Sequence, residues 1–138
     1  MTRDEEGVFW MAARMRTAES PLGLRGYEIR IYRSDDGTDF EAVHSIRRED
    51  VPTPGFERPA LLRNPKTGRF MLYGCSPLDR VWQIIRFDDA DRPDMFEPET
   101  ARPVIVPLGA GMPVGYKDPF IMAAEGRFHC YVIGITDH

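Results

Sequence analysis

The chain has 138 residues, a length typical of one domain, and its 42% hydrophobic content excludes an intrinsically disordered protein. Eighteen lysines and arginines against 22 aspartates and glutamates give a net charge of −4 without a basic run. No apolar stretch approaches the roughly 20 residues of a membrane span, and the two cysteines lack zinc-site spacing. We therefore expect no nucleic acid and no membrane as partners, and no metal or other cofactor.

The tripeptide pattern Gly-x-Phe occurs three times, beginning at Gly7, Gly68 and Gly126, so its copies are almost evenly spaced. Each copy opens a run of strand length that is rich in aromatic and β-branched residues: VFWMAAR, RFMLYGC and RFHCYVIG. A glycine ahead of such a run is typical of a tight turn. The three copies therefore predict three strands, each entered from a turn.

Further strands surround these three. The second and third copies share a segment ahead of the glycine, FERPALL and YKDPFIM, in which Pro59 and Pro119 hold the same place. The segments YEIRIYRS (27–34) and VWQIIRFD (81–88) follow the first and second copies and predict third strands. Nothing longer than a turn has the pattern of a helix.

Four antiparallel strands in a repeat of about 60 residues are typical of β-propeller blades. We therefore predict an all-β chain in which residues 58–63, 69–75, 81–88 and 99–106 form one antiparallel blade. The three repeats cover about 1–50, 51–107 and 108–138. A β-sandwich with similar hairpins is the alternative.

The repeat also extends past both ends of the sequence. It places the first strand of the first copy before Met1 and the third strand of the last copy beyond His138. We therefore expect residues 1–138 to be a partial β-propeller domain of two to three blades, which associates through exposed strand edges when expressed alone. The start MTRDEEGVFW has no signal-peptide pattern, and the localisation is left open with the cytoplasm favoured.

The stretches FERPALLRNPKTGRFMLYG and YKDPFIMAAEGRFHCYVIG resemble the five-bladed propeller glycoside hydrolases. This clan contains the family 43 and family 32 arabinanases, xylosidases and invertases, together with mannoside-phosphorylase-like propellers. Its general acid lies in a Glu-x-Pro segment and its other acids lie in Asp-Pro segments. Glu57-Arg58-Pro59 and Asp118-Pro119 match these segments. The resemblance implies a five-bladed propeller that acts on a carbohydrate in its central cavity, as a glycosidase or a glycoside phosphorylase.

The resemblance also implies roles for the two acids. Glycoside cleavage requires a carboxylic acid that protonates the leaving oxygen and a carboxylate across the sugar ring. Glu57 is the expected proton donor, kept neutral by partial burial, and Asp118 is the expected base, transition-state stabiliser or modulator of the acid. We expect both carboxyl groups to face one cavity, roughly 5–10 Å apart.

Arg58, Lys117 and His129 are the candidate substrate-binding residues. Arg58 and Lys117 are placed to bind sugar hydroxyls or to keep the carboxylates ionised, and His129 is either an interior residue or a sugar contact. In the alternative interpretation, Glu57 pairs with Arg58 or Arg63 and Asp118 pairs with Lys117, as ordinary surface charges. The corresponding alternative functions are a non-catalytic carbohydrate-binding propeller and a protein-interaction scaffold.

Two further patterns are interpreted as structural. The stretch RSDDGTDF (33–40) resembles the Asp-box turn of sialidase-type propellers and predicts a tight hairpin after the third strand. Four large aromatic residues are expected mostly in the core: Trp10, Tyr73, Trp82 and Tyr131.

Overall fold

The computed structural model describes residues 1–16, 26–109 and 113–136, and its strands form three antiparallel sheets in chain order. The first sheet contains β1 (Thr2–Arg3), β2 (Phe9–Met15), β3 (Glu28–Ser34) and β4 (Glu41–Arg47). The second contains β5 (Glu57–Arg63), β6 (Phe70–Leu78), β7 (Val81–Arg86) and β8 (Arg102–Ile105). The third contains β9 (Gly115–Ala124) and β10 (Arg127–Ile135). The helical segments of the described residues are three-residue 3-10 turns at Arg48–Asp50, Pro93–Met95 and Pro98–Thr100.

The all-β, antiparallel prediction is confirmed, and so is the predicted four-stranded sheet of the second repeat. Its strands pair in the order β5-β6-β7-β8, so each strand lies beside its neighbour in sequence. No helix crosses β6 or β7, and the four strands belong to one sheet. The fourth strand is shorter than the predicted 99–106, because the turn at Pro98–Thr100 occupies the beginning of that segment.

The internal repeat is visible in individual hydrogen bonds. The guanidinium Nε of Arg3 donates to the carbonyl oxygen of Gly7 at 2.7 Å, and Nε of Arg63 donates to that of Gly68 at 2.9 Å. Both glycines have a positive φ, +90° and +75°, as does Gly126 in the third copy at +74°. Only glycine adopts this backbone conformation without strain, which explains its recurrence at the turns.

The sequence pattern places the first strand of the first copy before Met1. In the structure, β1 pairs with β2 through Thr2 with Trp10 and Arg3 with Phe9. Thr2 and Arg3 therefore pair with β2 in the same register in which Leu62 and Arg63, the last two residues of β5, pair with β6.

The main core lies between the first and second sheets. Trp10, Ile29 and Ile46 from the first sheet form one buried cluster with Leu72 and Ile85 from the second. Successive side chains of a strand point to opposite faces, so every second residue of these strands contributes to this cluster. Burial of these side chains supplies the main driving force for packing the two sheets.

The second sheet is covered on its other face as well. Leu62 and Met71 form a second cluster with Ile121 of β9, and Ala60 and Tyr73 pack against it. Since both faces are covered, β6 is apolar at consecutive positions rather than at alternate ones. The second sheet therefore packs between the first and the third.

The hairpin predicted from RSDDGTDF joins β3 to β4. The Oγ of Ser34 donates to Oδ1 of Asp36 at 2.9 Å and accepts from the amide of Gly37 at 2.9 Å. The same carboxylate accepts from the amides of Thr38 and Asp39, at 2.8 and 2.9 Å. These bonds, led by that from Asp39, hold the pKa of Asp36 well below its ordinary value. The side chains of this stretch thus bond within the turn.

Glu28, at the start of β3, is a buried carboxylate with three short hydrogen bonds. Arg30 donates through Nε and Nη2 at 2.7 and 2.9 Å, and the Ser45 hydroxyl donates at 2.7 Å. The bond from Arg30 contributes most to lowering the pKa of Glu28 from its ordinary 4.5. A carboxyl group whose pKa is lower in the folded state stabilises the protein above its unfolded pKa, and this contribution is lost as the pH falls.

We therefore expect Glu28→Gln to reduce the free energy of unfolding at pH 7, and the difference from wild type to shrink as the pH falls from about 5 to 3. Urea unfolding at several pH values measures the difference. Glu99→Gln, at an exposed position, is the control and should give no such trend. A difference that stays constant over this pH range contradicts the assignment.

Candidate functional site

Glu57 is the first residue of β5 and its carboxylate connects the first and second sheets. The residue is 4% exposed. Arg16 donates from Nη2 to Oε1 of Glu57 at 2.7 Å, and Nη1 of Arg14 contacts Oε2. Ion pairs of this kind are among the stronger hydrogen bonds in proteins. The carboxylate therefore has a guanidinium partner on each oxygen.

This arrangement bears on the role predicted for Glu57. A proton donor must be neutral before it reacts, whereas a nearby guanidinium group favours the charged carboxylate. The alternative interpretation, in which Glu57 pairs with an arginine, is confirmed, but the partners are Arg14 and Arg16. The two partners named from the sequence, Arg58 and Arg63, are wrong. Arg63 instead bonds to Gly68 and to the carboxylate of Glu5.

Arg58 and Asp118 occupy equivalent positions in the second and third repeats, each before a proline. The Nε of Arg58 lies 3.5 Å from Oδ2 of Asp118. Both residues have a positive φ, +43° and +53°, and the register of each hairpin shifts at this point, which marks a β-bulge. Such a φ at a non-glycine residue is unfavourable by about 1–3 kcal/mol, and strain and bulges of this kind cluster at functional sites.

The thiol of Cys75 links the two strands that carry the acids. Cys75 is paired in register with Glu57, and its Sγ donates to the carbonyl oxygen of Glu57 at 3.4 Å. The backbone of Asp118 lies near the same sulfur and favours its charged form, against the larger effect of burial on the pKa of this thiol. Burial raises the pKa of this thiol, so it is a structural group. Nothing in the sequence pattern indicates this contact.

Lys117 extends over an aromatic ring. Its Nζ lies 4.2 Å from the centroid of the Trp82 ring, a cation–π geometry. The predicted alternative, an ion pair of Lys117 with Asp118, is replaced by the pair of Asp118 with Arg58. The ammonium group of Lys117 therefore lies against β7 of the second sheet.

His129 lies elsewhere in the third sheet. It is paired with Met122 on β9, four residues beyond Asp118. At about 3.3 Å per residue, this separation is on the order of 13 Å along the strand. The structure therefore brings Glu57, Arg58, Lys117 and Asp118 to one end of β5 and β9, and places His129 towards the hairpin turn.

The site carries more positive than negative charge. Its charged members are Arg14, Arg16, Glu57, Arg58, Lys117 and Asp118. Burial, followed by the proximity of Arg16 and Arg58, lowers the pKa of Arg14. Arg14 and Arg16 are not predicted from the sequence, because they belong to no motif. The repeat is the one sequence feature that relates Arg14 to this site. When the first two Gly-x-Phe copies are superposed, Arg14 aligns with Cys75, which is the strand partner of Glu57.

Two general findings apply to the part of the chain that the structure describes. It contains no group of three or more histidine, cysteine, aspartate or glutamate side chains arranged to hold a metal ion. It also contains no helix of the length and apolarity needed to cross a bilayer.

Comparison of the chain with protein-family models, with curated proteins and with solved structures gave no match. The resemblance to glycoside hydrolase propellers therefore rests on the residues that carry it.

The position of Arg14 depends on a glycine beside it. Gly26 exchanges two backbone hydrogen bonds with Phe56, at 2.9 and 2.8 Å. A Cβ at Gly26 would overlap Cγ of Arg14 and lie 2.7 Å from the carbonyl oxygen of Phe56. The backbone at Gly26 therefore passes so close to Arg14 and Phe56 that the position requires a glycine.

We expect Gly26→Ala to displace Arg14 from Glu57 and to lower the free energy of unfolding by about 1–3 kcal/mol, as overpacking does. Urea unfolding measures the loss. Gly74→Ala is the matched control, because its Cβ would lie at least 3.7 Å from its neighbours. Equal effects of the two substitutions would contradict the steric argument.

Proposed function

We propose that the three sheets are successive blades of a five-bladed β-propeller, present here as two to three blades. The support is the strand order within each sheet, the repeat of about 60 residues and the packing of the middle sheet between two others. In a propeller the first strands of adjacent blades line the central cavity. The beginnings of β5 and β9 are then adjacent walls of that cavity.

We propose further that this protein acts on a carbohydrate in the cavity, as a glycoside hydrolase or glycoside phosphorylase with Glu57 and Asp118 as its two carboxylates. The observation that supports this best is the strained pair of equivalent positions, Arg58 and Asp118. Two x-Pro bulges in adjacent repeats turn these charged side chains towards each other at 3.5 Å. A fold gains no stability from such strain, so a functional role accounts for it better.

The two carboxylates are expected to have different roles. Arg14 and Arg16 favour the charged form of Glu57, which suits a base, a nucleophile or a stabiliser of the oxocarbenium-like transition state. The Glu-x-Pro pattern supports Glu57 as the proton donor instead. Arg58 and Lys117 are suited to donate hydrogen bonds to sugar hydroxyls.

The test is hydrolysis and phosphorolysis of aryl glycosides by the purified chain, with arabinosyl, xylosyl, fructosyl and mannosyl groups. We expect Glu57→Gln and Asp118→Asn each to reduce turnover by about 10² or more. The variant of the proton donor should recover activity on substrates with good leaving groups, which need little protonation. Asp35→Asn, an exposed carboxylate in the β3–β4 hairpin, is the control.

A second candidate function is carbohydrate binding without cleavage. It is favoured by the two arginines that occupy both oxygens of Glu57, because a carboxylate held in this way is a poor proton donor. Calorimetric titration with the corresponding free sugars separates the two functions. Binding that Arg58→Ala weakens, without turnover of any glycoside, supports the binding protein; the absence of both binding and turnover contradicts both candidates.

A further inference from the structure

The side chain of Cys75 lies at the point where β5 and β9 begin. Its residue is 0% exposed in the chain as described. The Sγ donates to the carbonyl oxygen of Glu57 at 3.4 Å, and the backbone of Asp118 lies near the same sulfur. One buried thiol is therefore next to the main chain of both candidate carboxylates, which belong to two different sheets.

Both acid-bearing strands are irregular beside this thiol. Arg58 and Pro59 of β5 face a single residue of β6, because the register shifts just after Glu57. Asp118 and Pro119 of β9 face a single residue of β10 in the same way. A bulge interrupts the ladder, and proline has no N–H group to donate to it. The positions of the two acids therefore depend on contacts other than regular strand pairing.

The position of Cys75 in the repeat contacts Glu57 twice. Cys75 is the seventh residue after Gly68, and Arg14 is the seventh residue after Gly7. Cys75 bonds to the carbonyl oxygen of Glu57, whereas Arg14 contacts its carboxylate. The main chain and the side chain of Glu57 are thus held by equivalent residues of two adjacent sheets.

We propose that Cys75 is a positioning residue, whose thiol fixes the backbone of Glu57 and the spacing between the starts of β5 and β9. The separation of the carboxylates of Glu57 and Asp118 depends on this spacing. A displacement of about 1 Å at an active site is enough to slow catalysis by about 10²-fold. The effect on catalysis rests on the function proposed above, whereas the spacing is a property of the fold.

Serine and alanine at this position give a matched pair, because they are close in size and differ in the donor. Cys75→Ser keeps a hydroxyl group that donates hydrogen bonds, and Cys75→Ala has none. We expect kcat on aryl glycosides to fall by about tenfold or more in Cys75→Ala and by clearly less in Cys75→Ser. KM should stay nearly unchanged in both variants. Equal losses in the two variants would show that Cys75 only fills space.

Ile46→Val is the control for a general loss of stability. Ile46 is fully buried in the main core, away from the starts of β5 and β9, so its truncation should destabilise the chain without changing kcat. Urea unfolding establishes that every variant is folded at the temperature of the assay. If Cys75→Ala does not fold, Cys75→Val, which also lacks a donor, replaces it.

Hydrogen exchange of backbone amides, followed by nuclear magnetic resonance, tests the spacing without any substrate. Cys75→Ala should speed exchange at residues 57–58 and at residues 117–118, because the thiol holds both segments. Cys75→Ser should have a smaller effect, and Ile46→Val should leave both segments at the rates of the wild type.

The outcomes separate this proposal from the proposed function. Unchanged exchange in both segments of Cys75→Ala overturns the proposal, and faster exchange at residues 57–58 alone shows that the thiol does not hold β9. If the purified chain neither cleaves nor binds a glycoside, the proposed function fails. The exchange rates then still decide whether Cys75 joins the two strands.

Discussion

Replacing Phe87 by alanine is expected to lower the free energy of unfolding by about 3–5 kcal/mol. Phe87 is fully buried in the cluster between the first and second sheets, with its ring centroid 6.4 Å from that of Phe96. Removing the ring loses buried apolar area and leaves a cavity that the two sheets fill only partly. Urea unfolding followed by tryptophan fluorescence measures the loss.

Phe128→Ala provides the matched control, because the same side chain is removed from a position that is 41% exposed. We expect a change of about 0.5 kcal/mol or less there. A loss at Phe128 as large as that at Phe87 would show that the main core is not where the structure places it.

The double variant Arg14→Met and Arg16→Met is expected to lose about 3–5 kcal/mol, because it leaves the carboxylate of Glu57 buried without a cation. The loss should diminish as the pH falls, since protonation removes the uncompensated charge. Urea unfolding between about pH 7 and pH 5 measures both effects.

The triple variant that adds Glu57→Leu tests the cause of that loss. It removes the charge together with its partners, so most of the lost stability should return. If the triple variant is no more stable than the double variant, the arginines contribute through the packing of their side chains rather than through Glu57.

The elements of the fold are predictable because they depend on short stretches of sequence. The Gly-x-Phe pattern locates the turns ahead of β2, β6 and β10, since the positive φ that Gly7, Gly68 and Gly126 adopt there favours glycine. Strand boundaries are accurate to within two residues at β3, β5 and β7, whereas β6 continues to Leu78, beyond the predicted end at residue 75. They are less accurate at β8, where Pro98 begins a 3-10 turn inside the predicted strand.

The candidate site is predictable only in part. The repeat aligns Arg58 with Asp118, and the structure places their side chains 3.5 Å apart. The partners of Glu57 escape prediction, because Arg16 lies 41 residues earlier, beyond the first sheet's β2. Neighbours in sequence suggest Arg58 and Arg63 instead. The choice among many arginines depends on which strands pack against each other.

The sequence by itself therefore determined the all-β class, the repeat, the hairpins and the positions of the two x-Pro segments, because turn and strand preferences act over a few residues. Only the tertiary structure decided that Glu57 is held by two arginines and that Tyr131 is exposed while its equivalent, Tyr73, packs against the next sheet. Burial and ion pairing depend on what covers a given face, and that is a property of the packed sheets.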